Sequence, residues 1–332
     1  MTLRTSEQML ELLKAWAIEF ESVEQLEGNR VGLYIAIAKT GQRYVVKEVG
    51  DVVWRQTYAG NLNWQEKTEI QYRVMRHVNR RGVPTGHLLT TRDGKGYAIA
   101  WDSVFTLMPF ISVEASPGFL KPDTVVWSNT GRSYAHLHAA LTTFDDPIEI
   151  PLLTLYDRYE VKTRTRENVI QGSDLDFKKE FLIDLEPHVS EQSSKLPEQP
   201  TIWDAHTGNT CYMDGQLSGF IDFDEVCIGP RILDLAGFAV VMILWDQSPS
   251  RTRPWLTGLP HMLRSYHASN PLSDIERVNL PLALEVYALY RSWLPKQDDP
   301  PERIEESRKV IGTMRWLVEN RETVRNTIAS AF

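Results

Sequence analysis

Along these 332 residues the hydrophobic period changes once, from two residues to between three and four. That switch restricts the chain to a β-rich segment followed by a helical one. Leu33-Tyr34-Ile35-Ala36-Ile37-Ala38 and Tyr44-Val45-Val46-Lys47 are strand-forming runs, and Lys39-Thr40-Gly41-Gln42 between them is a hairpin signal. A helix is expected over Leu62 to Asn79, where Ile70, Val74 and Val78 recur four apart and Gly82 and Pro84 stop it. Two further strands are expected on either side of Arg92-Asp93-Gly94-Lys95, the second reaching Met108. Pro109 interrupts the pattern, Ile111 to Pro122 reads as a connector, and from about Val125 the spacing is helical, as in Tyr134 to Leu141. One island of strand, Thr210 to Met213 and Leu217 to Phe223 around Asp214-Gly215, breaks the helical part. Near the start, Glu7, Glu11 and Lys14 lie at helical intervals among apolar residues, an amphipathic helix with neither the basic start nor the apolar block of a signal peptide. The expected class is α+β and bilobal: a small antiparallel sheet with one helix, then a large, mainly α-helical lobe.

Charge and cysteine usage narrow the function. A net charge of −8 argues against nucleic acid, which calls for a basic stripe. Thirteen acidic and seven basic residues fall between Asp145 and Glu198, leaving the rest nearly balanced. Such a surface either attracts a cationic substrate or is a solvated helical face. The longest apolar stretch, Leu235 to Trp245, is too short to cross a bilayer and reads as a buried helix, so no membrane partner is expected. Cys211 and Cys227 are the only cysteines, which fits a reducing cytoplasm and buried structural thiols.

The chemistry is concentrated in Asp204-Ala205-His206-Thr207-Gly208-Asn209 and, after the hairpin, Ile221-Asp222-Phe223-Asp224. Phosphoryl transfer from a nucleotide needs a carboxylate to orient the acceptor hydroxyl and oxygen ligands to hold magnesium against the phosphates. Asp204 and Asn209 on one loop can supply the first role and half of the second. Asp222, thirteen residues beyond Asn209, can return a carboxylate to the same metal through the turn at Asp214-Gly215.

This block resembles the signature of the aminoglycoside phosphotransferase and choline kinase superfamily, relatives of the protein kinases. Gly229-Pro230-Arg231 with Asp234-Leu235-Ala236 is similar to its downstream motif, and Tyr134 to His138 to its preceding helix. The resemblance runs from Gly28 to about Phe238 and implies a protein-kinase-like fold. It implies a nucleotide-binding lobe at 1–108, a hinge and connector at 109–122, and a catalytic and substrate-binding lobe at 123–332. The cofactors it implies are ATP or GTP with Mg2+. Asp204 would be the catalytic base or hydroxyl-orienting carboxylate, and Asn209 and Asp222 the magnesium ligands. Lys47 would pair with the phosphates, and Val45, on the same strand face, would pack on the adenine. A helix glutamate would brace Lys47; spacing leaves Glu69 and Glu66 open, and Glu69 is taken. Met108 to Phe110 would meet the base through the backbone, and Gly28-Asn29-Arg30-Val31-Gly32 would lie over the phosphates. His206 and His138 are assigned to support, Asp234 to a helix cap or loop anchor, and Asp224 is a weaker candidate for a second metal ligand.

The resemblance departs in one place: the family has His-Gly before the catalytic Asp, and here Ile202-Trp203 stand there. Relatives build substrate pockets from large-lobe helices, so the acceptor candidates are Trp245, Asp246, Tyr290 and Arg291, with Trp255, Tyr287 and Trp293 nearby in sequence. Core packing accounts for most of these aromatics. Three functions follow: a kinase for a small hydroxylated molecule such as an aminoglycoside-like sugar, an amino alcohol or a homoserine-like amino acid; a stress-response type Ser/Thr protein kinase; and a silent nucleotide-binding regulator. The first is preferred. Oligomeric state is not legible.

Overall fold

Five antiparallel strands, β1 (Phe20–Gln25), β2 (Leu33–Ala38), β3 (Arg43–Val49), β4 (Ala98–Ala100) and β5 (Ser103–Pro109), form one sheet in the order β1-β2-β3-β5-β4 in a computed structural model of the chain. The structure describes residues 4–26, 32–49, 62–113, 124–163, 173–293 and 299–332. Alternation decides which face of the sheet is which. Tyr34, Ala36, Tyr44, Val46, Phe105 and Leu107 are buried together against Met9, Leu12, Leu13 and Trp16, an apolar cluster of its own. The residues between them, Ile35, Val45 and Lys47, point to the other side. There Val45 stands opposite Met108, and Lys47 opposite Thr106.

Helix α1 (Ser6–Leu13) starts with a capping box between Thr5 and Gln8, and α2 (Trp64–Arg80) with one between Asn63 and Glu66. Both were expected from periodicity, within two residues for α2. The hairpin turn, however, is not at Asp93-Gly94. It falls at Trp101-Asp102, both with positive φ (48° and 57°), as a tight two-residue connection requires. Thr91 to Lys95 closes a separate turn through Thr91 N–H to the Lys95 carbonyl (2.7 Å).

The helical part comprises α3 (Thr124–Thr142), α4 (Leu155–Thr163), α5 (Ser173–Ser193), α6 (Ile232–Val241), α7 (Pro249–Ser269), α8 (Asp274–Arg291), α9 (Pro301–Glu319) and α10 (Arg321–Ala329). Two short antiparallel pairs are inserted: β6 (Gln199–Thr201) with β9 (Cys227–Gly229), and β7 (Thr210–Met213) with β8 (Gln216–Phe220). The centre is α3 against α7. Gly131 permits the approach, because a Cβ there would lie 2.1 Å from the Met262 carbonyl oxygen. The sheet lobe is tied on by Gly86 N–H to the Phe220 carbonyl (2.9 Å), Phe220 N–H to the Pro84 carbonyl (3.0 Å), and Arg73 to Asp146 (2.9 Å). The architecture is bilobal α+β and protein-kinase-like: a sheet lobe carrying α1 and α2, and a larger helical lobe. Among the described residues no helix is long and apolar enough to cross a membrane.

Candidate active site

The loop bearing Asp204 is held from below. Asp234, in the first turn of α6 and fully buried, accepts the backbone N–H groups of Ile202 (3.0 Å) and Trp203 (2.9 Å) and faces His138 Nε2 (3.1 Å). His138 is fixed in turn by Tyr266 (2.8 Å). Asp234 is thus a loop anchor and His138 a structural partner, as their positions in sequence suggested. Trp203 adopts φ +61°, a left-handed conformation that glycine takes freely and that is unusual for a bulky residue. Its carbonyl accepts Arg158 Nη2, and its ring lies 3.9 Å beneath the Arg158 guanidinium.

Arg158 has no sequence signal. It sits in ordinary helical surroundings on α4, and its partner carbonyl is 45 residues away. It is fully buried, caged by the rings of Trp203, Tyr287 (4.7 Å) and Tyr290 (4.1 Å). Its Nε and Nη1 find no acceptor among the described residues.

Asp204 itself is largely buried. Arg291 Nη1 lies 3.3 Å from Oδ1, and His206 Nε2 lies 3.4 Å from Oδ2. The Gly208 N–H donates to His206 Nδ1 (2.9 Å), which leaves Nε2 as the protonated nitrogen facing the carboxylate. Gly208 is required for this, since a Cβ would come within 2.8 Å of the imidazole Cε1. Burial pushes the Asp204 carboxyl up, but the His206 hydrogen bond and the positive charges of Arg291 and Arg158 outweigh it and hold it below the usual range. Asp204 is therefore ionised at neutral pH and suited to orienting a hydroxyl.

Asn209 spends its amide nitrogen on the Asp204 carbonyl (2.9 Å), which leaves Oδ1 as its ligand atom. Its own carbonyl accepts Ile221 N–H (3.0 Å), tying the two motif loops together next to Asp222. Asp222, at φ +62°, meets Lys47 Nζ at 2.6 Å; Asp224 meets the same nitrogen at 3.2 Å. A cation thus already stands between two carboxylates, and Asn209 offers an amide oxygen from the loop tied to theirs, so the donor types suit a hard divalent ion. Among the described residues no cluster of three His, Cys, Asp or Glu could hold a metal, and magnesium needs none, because substrate phosphates and water complete its shell.

The other expected residues divide. Val45 and Met108 are neighbours on adjacent strands and pack with the large-lobe core. The Phe110 N–H, expected to meet a base, donates instead to the Arg43 carbonyl (3.1 Å), with its ring under the Arg43 guanidinium. Glu69 bonds Arg73 (2.7 Å), and Glu66 closes the α2 capping box, so the structure sets neither against Lys47 in an ion pair. Helix capping and a neighbour four residues on claim these carboxylates locally. Of the acceptor candidates, Arg291 meets Asp204, and Tyr290 stacks against Arg158. Trp245 instead meets Trp293 edge-on (6.3 Å). Asp246 accepts Ser248 N–H (2.9 Å) at the start of α7 and pairs with Arg251. Gly28 to Val31 and the connector from 114 onward lie outside the described residues.

The model of the "Phosphotransferase enzyme family" matches residues 34–259, more than half of the chain. An uncharacterised protein of Synechocystis sp. is 24% identical over 279 residues, covering 76% of this chain and 72% of its own. Among solved structures, amicoumacin kinase hAmiN in complex with AMP-PNP, Ca2+ and Ami superposes with a TM-score of 0.69 at 15% identity, over 95% of this chain and 94% of that one. The microcompartment-associated aminopropanol kinase gives 0.66 at 13% identity, over 96% and 98%.

Proposed function

This chain belongs to the phosphotransferase enzyme family, and we propose that it moves the terminal phosphoryl group of ATP or GTP onto a hydroxyl of a small molecule. The observation that carries this reading is the convergence of Lys47, Asn209, Asp222 and Asp204, drawn from both lobes, around one cleft. Asn209 Oδ1 and Asp222, with Asp224 adjacent, are the residues that would hold magnesium. When bound there, the metal would draw the phosphates in and neutralise charge as it develops. Lys47 would then exchange its carboxylate partners for phosphate oxygens.

Asp204 orients the acceptor hydroxyl and takes its proton as the new O–P bond forms and the bridging P–O bond of the nucleotide breaks. A carboxylate this acidic is a weak base, which suits a reaction whose loose transition state calls for proton removal late. Ile202-Trp203 need not silence the loop, because Asp234 holds both of their amides. That observation supports an active enzyme over a silent regulator.

Asp204→Asn should lower kcat by about a thousandfold while leaving affinity for Mg·ATP within about threefold. Turnover assays over amino alcohols, sugars and hydroxy acids, with calorimetric nucleotide titration, check both. Loss of nucleotide affinity in this variant would contradict the role.

A further inference from the structure

The acceptor side of Asp204 is electropositive. Against its single carboxylate stand two guanidinium groups, Arg291 at 3.3 Å and the caged Arg158, both named among the charges that lower its pKa. Arg158 is sealed by three rings and the Trp203 carbonyl, so its charge is projected into the cleft while its donors are out of reach. Arg291 differs. Its side chain is 32% exposed, and its contact with Asp204 uses one nitrogen of a group that carries five N–H donors.

Among the described residues, several carboxylates that could offset this charge already have cationic partners. Asp222 and Asp224 face Lys47. Within the acidic stretch that could have drawn a cation, Asp146 pairs with Arg73, Asp174 with Arg315 and Asp184 with Arg321. A cationic acceptor would enter beside two fixed positive charges. An anionic one would find a planar fork suited to carboxylate or phosphate oxygens.

We propose that Arg291 recognises an anionic group on the acceptor, so that the substrate is a short hydroxylated compound carrying a carboxylate or phosphate. This rests on the cleft being a phosphotransferase site and names the acceptor class for it. The group would sit on the open edge of Arg291 while the hydroxyl, a few bonds away, reaches Asp204.

The test uses acceptors matched in skeleton and differing in charge: glycerate, glycerol 3-phosphate, glycerol and 3-amino-1,2-propanediol, with kanamycin as a polycation. Wild type should favour an anionic member over its neutral and cationic counterparts by on the order of a hundredfold in kcat/KM, because a polar site rejects analogues lacking its partner. The carboxylate and phosphate arms identify which anion is used. Since Arg291 also touches Asp204, the readout in Arg291→Gln is the anionic-to-neutral ratio, not the rate. That ratio should collapse to within a few-fold, mainly through KM, and recover in part in Arg291→Lys. Preference for the amine or kanamycin, or a ratio unchanged in Arg291→Gln, overturns the proposal while leaving the kinase standing. Should nothing turn over, calorimetry of glycerate and glycerol 3-phosphate onto the protein with Mg·AMP-PNP decides. Binding lost in Arg291→Gln supports the proposal, and absence of binding overturns it. Failure to bind Mg·AMP-PNP at all sinks the phosphotransferase reading itself.

Discussion

Trp203 occupies the backbone conformation that glycine would take at no steric cost, and its side chain is what makes the arrangement tolerable. A bulky residue at φ +61° carries a strain of roughly 1–2 kcal/mol. Both of its backbone groups are held, the N–H by Asp234 and the carbonyl by Arg158, and its buried indole forms the floor of the Arg158 cage. Trp203→Gly would relieve the strain but remove a fully buried ring, which typically costs about 3–5 kcal/mol. The net expectation is a loss of about 1–4 kcal/mol in denaturant unfolding, together with a fall in kcat as Arg158 loses a ring of its cage. Wild-type stability in this variant would show that the indole does not hold the loop. The sequence flags the departure at Ile202-Trp203 but not its remedy. Asp204, Asn209 and Asp222 stand out in the sequence because the reaction proposed for them constrains residue type and spacing, and the fold brings their loops together. Arg158 is not, because what selects it is a carbonyl and three rings brought together by folding.

The same contrast separates elements that announce themselves from those that do not. β2, β3 and α2 follow from alternation and period, since each buries one face. β1 escapes because its burial hardly alternates, and β6 and β9 because three residues carry no period. The turn at Trp101-Asp102 hides behind Asp93-Gly94, whose composition is the more turn-like. How α6 and α8 are set relative to each other is likewise written in a contact rather than a pattern. Arg231, at the start of α6, grips Glu276 in the first turn of α8 through two nitrogens (2.7 and 3.0 Å). Both helices serve the site, α6 through Asp234 and α8 through Tyr287, Tyr290 and Arg291. Burial pushes the Glu276 carboxyl up, but Arg231 and the Ser273 amide and hydroxyl outweigh it and hold it below 4.5. A carboxyl with a depressed pKa in the folded state stabilises the protein above its unfolded value. That contribution fades as pH falls below 4.5 and through the folded value. Glu276→Gln should therefore destabilise by roughly 1–3 kcal/mol at pH 7, and the gap to wild type should narrow on going to about pH 3. Denaturant unfolding of both proteins across that interval checks it; a gap constant with pH would mean that the charge of Glu276 does not matter.

The two lobes have separate apolar clusters, one between α1 and the sheet and one running from α2 through the helices. The switch in hydrophobic period made that division legible, because a sheet and a helical bundle cannot share one pattern. It gave no hint that α2 would join the larger cluster, since an amphipathic stripe says that a face is buried and not against what. Between the lobes the cleft-facing side of the sheet presents Val45 and Lys47, and Lys47 reaches across to Asp222 and Asp224. A nucleotide bound there would bridge the sheet and the large-lobe loops and so couple their unfolding. A ligand that binds only the folded state adds RT ln(1 + [L]/Kd), about 2.7 kcal/mol at a hundred times Kd. For a chain of this size that is a rise in Tm on the order of 5 °C. Wild type should show this rise with Mg·AMP-PNP and not with AMP-PNP in EDTA, because Asn209 and Asp222 would act through the metal. Lys47→Met should shift by less than about 1 °C at the same ligand concentration, since its affinity should fall by about a hundredfold when the phosphate partner is gone. Differential scanning calorimetry reads both. An equal rise in Lys47→Met would place the nucleotide away from β3, and an equal rise in EDTA would remove the metal role from Asn209 and Asp222.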